Sequence, residues 1–306
     1  MKAGAVSTKG SGKGTAWSTI RTRFPINMKA SLDSGQPLTF HSVYTITNGT
    51  AHVSYVTGRG AIELEYKEGG PTSSFRYRYH GDYTPASARS EVVRRFGLED
   101  DMPAIYSRIG TDRHMKGAIG RHYGLRVTHN EPWETTLCFV ISQFNNVKRI
   151  KGIVRNLVNT YGDVMDTGDK STRLFPSAET ISNVSVKDLK KAGAGFRAKY
   201  IKSVATAVAG GVDLEGIHNM DYDEAKSMLM SMDGIGDKVA DCILLMGYKK
   251  LGAFPIDVWV KRSMEKLYFD NKKTSIDAIH DFADEQWGDY AGYAQQYLFH
   301  NARLQG

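Results

Sequence analysis

The chain has 306 residues, 41% of them hydrophobic and 24% charged, with a formal net charge of +7 and a pI near 9.2. No apolar run of about eighteen residues occurs, so no membrane span is expected, and the N-terminal stretch lacks the apolar segment of a secretory leader. Two cysteines, Cys138 and Cys242, both in apolar runs, fit a reducing compartment. They cannot hold a four-cysteine iron–sulfur cluster, no Cys/His grouping has zinc spacing, and no metal site is expected.

Residues 1–24 read as a flexible basic tail rich in Gly, Ser and Lys. Gly10-Ser11-Gly12-Lys13-Gly14-Thr15 fails the phosphate-loop template, because Gly14 follows the lysine and no strand precedes it. Residues 25–127 form a β-rich N-terminal part. Phe40 to Thr47 and Ala51 to Thr57 flank the hairpin turn signal Asn48-Gly49, and Ala61 to Tyr66 and Phe75 to Tyr79 add strands. Alternation in the last strand places Tyr77 and Tyr79 on one face and Arg76 and Arg78 on the other, a face that is either solvated or turned toward phosphate. After Pro85 the apolar spacing becomes three and four residues, over Ala88 to Phe96, Met102 to Ile109 and Pro132 to Tyr161. Residues 128–306 form the helical part, with shorter helices near Ser177 and Ser185, another over Phe196 to Val208, and the last over Asp289 to Arg303. The fold class is α+β: an antiparallel sheet packed on a mainly helical domain.

The most specific local signal lies at 221–248. Asp221 is placed to cap a helix that runs to about Ser231, and Gly234-Ile235-Gly236 turns tightly into a second helix that Asp237 and Lys238 open. Glycines and a helix N-terminus together expose amides that suit a phosphate oxygen, a contact without base sequence information. This hairpin and the basic charge make double-stranded DNA the expected partner. A helix N-terminus and apolar neighbours disfavour the ammonium form of Lys238, and a neutral amine is a nucleophile. On the hairpin alone, a lysine that merely grips phosphate remains the simpler reading. Asp257 follows Pro255 and opens another helix as its N-cap. A carboxylate near a neutral amine can stabilise positive charge developing on a deoxyribose, so the pair points to attack at C1′.

Carrying these motifs, the chain from about Asp33 to Leu304 resembles the 8-oxoguanine DNA glycosylase/lyases, helix-hairpin-helix enzymes of base excision repair. The resemblance implies that Lys238 is the nucleophile that forms a Schiff base and that Asp257 assists it. Ser34-Gly35-Gln36 matches an element whose glycine carbonyl accepts from N7–H of the oxidised base, a proton that guanine lacks. Cys242 and Phe299 match the residues packing on the two faces of the extruded base, and Gln295 the side chain reading its Watson–Crick edge. Asn145, Asn146 and Arg149 match a segment contacting the opposite cytosine, and Phe196 with Arg197 a wedge loop. The family's triple asparagine reads Phe144-Asn145-Asn146 here, Phe196 stands where tyrosine is common, and Trp259 stands where some members carry histidine.

The expected function is therefore excision of 8-oxoguanine from duplex DNA with strand nicking at the abasic site, by a monomer in the nucleoid of a prokaryote or the nucleus of a eukaryote. No redox cofactor is needed, and a monovalent cation at the hairpin fits the scheme. A glycosylase for another base, or a non-catalytic DNA-binding module, are the rival readings. Adenine-type relatives usually carry the missing four-cysteine cluster, and alkyl-base enzymes usually lack the lysine.

Overall fold

The computed structural model describes residues 16–67, 73–168 and 171–305. The fragment 10–15 and most of the expected tail lie outside the described residues. The architecture is α+β. Strands β1 (Ser18–Arg21), β2 (Val43–Thr47), β3 (Thr50–Val56), β4 (Gly60–Lys67) and β5 (Ser74–Gly81) form an antiparallel sheet in the order β1-β5-β4-β3-β2. Asn48 and Gly49 take φ of 51° and 73°, the positive pair that a tight primed turn requires. Alternate residues such as Val53, Leu64 and Phe75 face a core shared with Ala88 and Val92 of helix Pro85–Arg95. On the outer face Arg76 pairs with Glu65 at 2.9 Å and Arg78 with Glu63 at 2.7 Å. Those arginines are neutralised across the strands, so this face is no free basic row for phosphate.

Three local expectations need correction. Ser18–Arg21, assigned to the tail, pairs with β5 from Ser18↔Tyr77 to Arg21↔Ser74. Its one buried residue, Ile20, is too weak a pattern to announce a strand. Phe40 and His41 end a short helix, Pro37–His41, instead of opening a strand. Pro37 pre-sets its first turn, and His41 Nε2 reaches Glu134 at 2.6 Å. The helical run from 132 to 161 is two helices, Pro132–Ser142 and Val147–Tyr161, separated where Phe144 adopts φ of 45°.

The larger core is helical. It also takes in Phe40 and residues from helices Met102–Ile109 and Arg113–Arg121, so the two cores interleave along the chain. A buried ion network ties them together. Arg95 donates to Glu91 at 2.8 Å, to Asn130 at 2.7 Å and to Glu134 at 2.7 Å, and its guanidinium lies 4.9 Å from the Tyr55 ring centroid. That one side chain links helix Pro85–Arg95, strand β3 and helix Pro132–Ser142, which forms one wall of the site below.

Candidate active site

The Asp221 carboxylate accepts from Glu224 N at 2.9 Å and caps helix Tyr222–Met230. The chain then turns into helix Asp237–Tyr248. The two hairpin glycines do different work. Gly234, at φ of 94°, packs so closely that a Cβ would stand 2.6 Å from Tyr200, and its carbonyl accepts from Gln143 Nε2 at 2.9 Å. Gly236 is the N-cap of the second helix, is exposed, and would set a Cβ against nothing within 4 Å. First-turn amides beyond it lack intrahelical acceptors and are open to a phosphate.

Lys238 sits half-buried in that first turn, its Nζ 5.6 Å from the Phe139 ring centroid. Asp257 caps helix Val258–Tyr268 by accepting from Val260 N at 2.8 Å. Both side chains line one cavity of about 250 Å³, just under the smallest small-molecule sites (roughly 300 Å³), a size suited to one heterocycle. Lys226 on the neighbouring helix is held by Asp237 at 2.7 Å and Asp241 at 2.9 Å, whereas among the described residues no carboxylate stands at ion-pair distance from Lys238. Asp237, Asp241 and His280 bring potential metal-ligand atoms within 4.8 Å of one another, with Lys226 already supplying positive charge between the two carboxylates.

The other expected pocket residues meet in the same cavity. Cys242 is buried one helical turn after Lys238, and burial pushes its thiol up to about 11 against the opposing pull of Lys238, so it is a neutral packing surface. Phe299 lines the cavity from helix Ala291–Gln305. Gln295, from the same helix, donates through Nε2 to Pro255 O at 3.1 Å, while its buried Oε1 has no partner among the described residues. Gly35 takes φ of 77°, and a Cβ there would stand 3.0 Å from Arg303 Nη1 and 3.3 Å from Phe299. The buried Gln36 fixes this glycine in place: its amide donates to Arg126 O at 2.8 Å and accepts from Thr128 N at 2.6 Å.

The residues expected to meet the opposite base and to form the wedge gather at the rim. Asn145 and Asn146 line the cavity, and both also serve the helix break. Asn145 Nδ2 donates to Ile141 O at 3.1 Å, and Asn146 Oδ1 caps the next helix by accepting from Arg149 N at 3.0 Å. Arg149 is exposed, its Nη2 3.7 Å from a Cβ built on Gly195. Phe196 is 50% exposed. Arg197 is only 2% exposed: Nε donates to Gln143 O at 2.6 Å and Nη2 to Phe144 O at 2.7 Å. Two of its donors thus hold the helix-break loop, and its guanidinium lies 4.4 Å from the Phe196 ring centroid.

Residues 137–287 match the model of the HhH-GPD superfamily of base excision DNA repair proteins, and residues 20–136 match the N-terminal domain of 8-oxoguanine DNA glycosylase. The chain belongs to the 8-oxoguanine DNA glycosylase family of that superfamily. The probable N-glycosylase/DNA lyase of Methanothermobacter thermautotrophicus is 29% identical over 76% of this chain and 80% of its own length. The N-glycosylase/DNA lyase OGG1 of Arabidopsis thaliana is 29% identical over 86% of this chain and 76% of its own. The solved Clostridium acetobutylicum 8-oxoguanine glycosylase/lyase, in complex with double-stranded DNA containing cytosine opposite the lesion, superposes with a TM-score of 0.80. It is 26% identical and covers 94% of this chain and 98% of its own.

Two residues of this glycosylase chain stand out that sequence reasoning had not placed in the site. Phe144, noted only as a departure from the asparagine run, is 94% exposed at the rim, 6.4 Å from Phe196 between ring centroids. An apolar residue among polar ones where a helical pattern halts was its signal. Arg303 lines the cavity itself, and its spacing of four from Phe299 on one helix was legible.

Proposed function

We infer that this protein is a bifunctional DNA glycosylase and abasic-site lyase that excises 8-oxoguanine from duplex DNA, preferentially opposite cytosine. One observation carries the reading: Lys238, which has no counter-ion among the described residues, the capping carboxylate of Asp257, the Cys242 thiol, the Phe299 ring and Gln295 all line one base-sized cavity beside the hairpin. The relatives named above as N-glycosylase/DNA lyases and 8-oxoguanine glycosylase/lyases support it.

Gly236 and the first turn after it grip a phosphate and bring C1′ of the extruded nucleotide to Lys238. The Lys238 amine attacks C1′, and the C1′–N9 electron pair leaves with the base. Asp257 stabilises positive charge on the sugar and takes up the proton released by the amine. The resulting imine acidifies C2′–H, and β-elimination expels the 3′ phosphate. The base slots against Cys242 and Phe299, Gln295 Oε1 accepts from its Watson–Crick edge, and the Gly35 carbonyl accepts from N7–H. Extrusion costs a few kcal/mol, which these contacts offset. Phe196 fills the vacated stack, and Arg149 faces the orphaned base with Asn145 and Asn146. The protein works as a monomer and needs no redox cofactor. A monovalent cation between hairpin carbonyls and the DNA phosphate is compatible, and loss of affinity in cation-depleted buffer would measure it.

Borohydride trapping on a duplex with 8-oxoguanine opposite cytosine tests the function. A covalent adduct that Lys238→Gln abolishes is expected. Tight binding without any adduct would reduce the protein to a DNA-holding module.

A further inference from the structure

One charged side chain in the cavity has no part in the chemistry above. Arg303 follows Phe299 by one helical turn and lines the same cavity as Lys238 and Asp257. Its guanidinium carbon lies 5.3 Å from the Phe299 ring centroid, and its Nη1 stands 3.0 Å from where a Cβ on Gly35 would be. Among the described residues its one protein hydrogen bond is long, 3.3 Å from Nη1 to the Asp33 carbonyl oxygen, and no carboxylate is at ion-pair distance. A guanidinium carries five N–H donors, so among the described residues most of those on Arg303 have no protein acceptor. Arg95 and Arg197, two more deeply buried arginines discussed above, are engaged by two carboxylates and by two carbonyls. Burial lowers the Arg303 pKa while the charges of Asp257 and Asp33 pull it back up, so it is a cation seated within the field of the catalytic carboxylate.

We propose that Arg303 is a catalytic residue that donates to the C8 oxygen of the bound oxidised purine and stabilises the negative charge of the departing base. The proposal rests on the reading of this cavity as the seat of an extruded 8-oxoguanine. In that seat N9 must face Lys238 and N7 must face Gly35. The C8 carbonyl lies between those two atoms, on the side where Arg303 crowds Gly35. As the lysine nitrogen bonds to C1′, the C1′–N9 bond breaks and its electron pair passes to N9. From N9 it delocalises through C8 onto the C8 oxygen. The proton from the attacking nitrogen goes to Asp257, and the base leaves as an anion that solvent later protonates. A preformed cation aimed at that oxygen is the arrangement that lowers such a barrier. Guanine has no oxygen at C8, so the same contact also favours the lesion in the transition state.

The test compares Arg303→Leu and Arg303→Lys with the unaltered protein, in single-turnover reactions on two duplexes. One holds 8-oxoguanine opposite cytosine; the other holds a preformed abasic site, which has no base to expel. The ratio of excision to abasic cleavage should fall about 10²-fold in Arg303→Leu, in line with the loss of one oxyanion donor, and Arg303→Lys should recover part of it. Abasic cleavage also reports whether each variant is folded and binds DNA. An unchanged ratio would overturn the proposal. So would a loss of DNA affinity that accounts for all of the lost excision, with a shallower salt dependence, since that describes a phosphate clamp. If the unaltered protein cleaves abasic DNA but leaves 8-oxoguanine in place, the reading of the cavity fails before the variants are compared.

Discussion

Two regions of the molecule handle buried charge in opposite ways. At the seam between sheet and helices, Arg95 is fully buried between Glu91 and Glu134, and His41 closes the far side of Glu134. Burial alone would raise the Glu134 pKa, but Arg95 and His41 hold it down at about 2. In the cavity, Lys238 and Arg303 lack a carboxylate at ion-pair distance among the described residues, and Gln295 Oε1 lacks a donor. Desolvating a charge is costly, and a seam that compensates it gains a fixed geometry. The cavity leaves the cost in place until a ligand brings its own polar atoms. Saturated groups hold the walls, and unsaturated ones are left for the chemistry proposed above.

The largest effect should follow from breaking the saturated side. Arg95→Ala removes the cation that Glu91 and Glu134 share, leaving Glu91 only Arg94 and Glu134 only His41, and should cost about 3–5 kcal/mol of stability, read by denaturant unfolding. Arg303→Leu removes a cation that has no counter-ion among the described residues and should shift stability by less than about 1 kcal/mol in either direction. If both arginines proved equally structural, the contrast would disappear.

Acid sharpens the same contrast. The Glu134 pKa falls from an ordinary 4.5 to about 2 in the folded protein. Its stabilising contribution is therefore complete above the unfolded value and is lost as pH falls from about 4.5 toward 2. That shift corresponds to roughly 3 kcal/mol. Glu134→Gln should flatten this limb of the stability profile. An unaltered acid limb in that variant would show that other carboxylates dominate.

On the unsaturated side, Asp257→Asn should lower single-turnover excision about 10²- to 10⁴-fold. Asparagine caps a helix as well as aspartate does, so the Val258–Tyr268 helix and the cavity wall should persist. DNA affinity should change only a few-fold. Matching losses of binding and turnover would assign Asp257 a structural role instead.

The sequence discloses these regions unequally. The hairpin was legible because Gly234, Gly236 and Lys238 act through local backbone geometry that a few residues specify. The turn at Asn48-Gly49 was legible for the same reason. Helix Pro37–His41 was not, because five residues leave no period to read and His41 is held by Glu134, ninety-three residues away. Strand β1 owes its form to pairing with β5, which a single buried isoleucine cannot announce. Arg303 and Arg197 look alike as letters. What separates them is which carbonyls or carboxylates the fold brings near, and that is a tertiary fact.

The smallest predicted effect concerns the rim. Phe144 is nearly bare and holds φ of 45°, a left-handed backbone that costs an ordinary side chain about 1–2 kcal/mol. Arg197 offsets that strain by donating to the Gln143 and Phe144 carbonyls. A bulky apolar side chain kept there can stack on a base, but it cannot read one by hydrogen bonds. Phe144→Asn should therefore do two things at once. Asparagine tolerates the left-handed region, so stability should hold or rise by up to about 1 kcal/mol. It also brings a donor and an acceptor to the rim, where the proposed function puts the orphaned base, so the preference for cytosine over adenine opposite the lesion should rise several-fold while DNA affinity drops. Excision rates against all four opposing bases give the readout. A preference that stays flat while affinity stays whole would remove Phe144 from the DNA interface and leave its exposure unexplained.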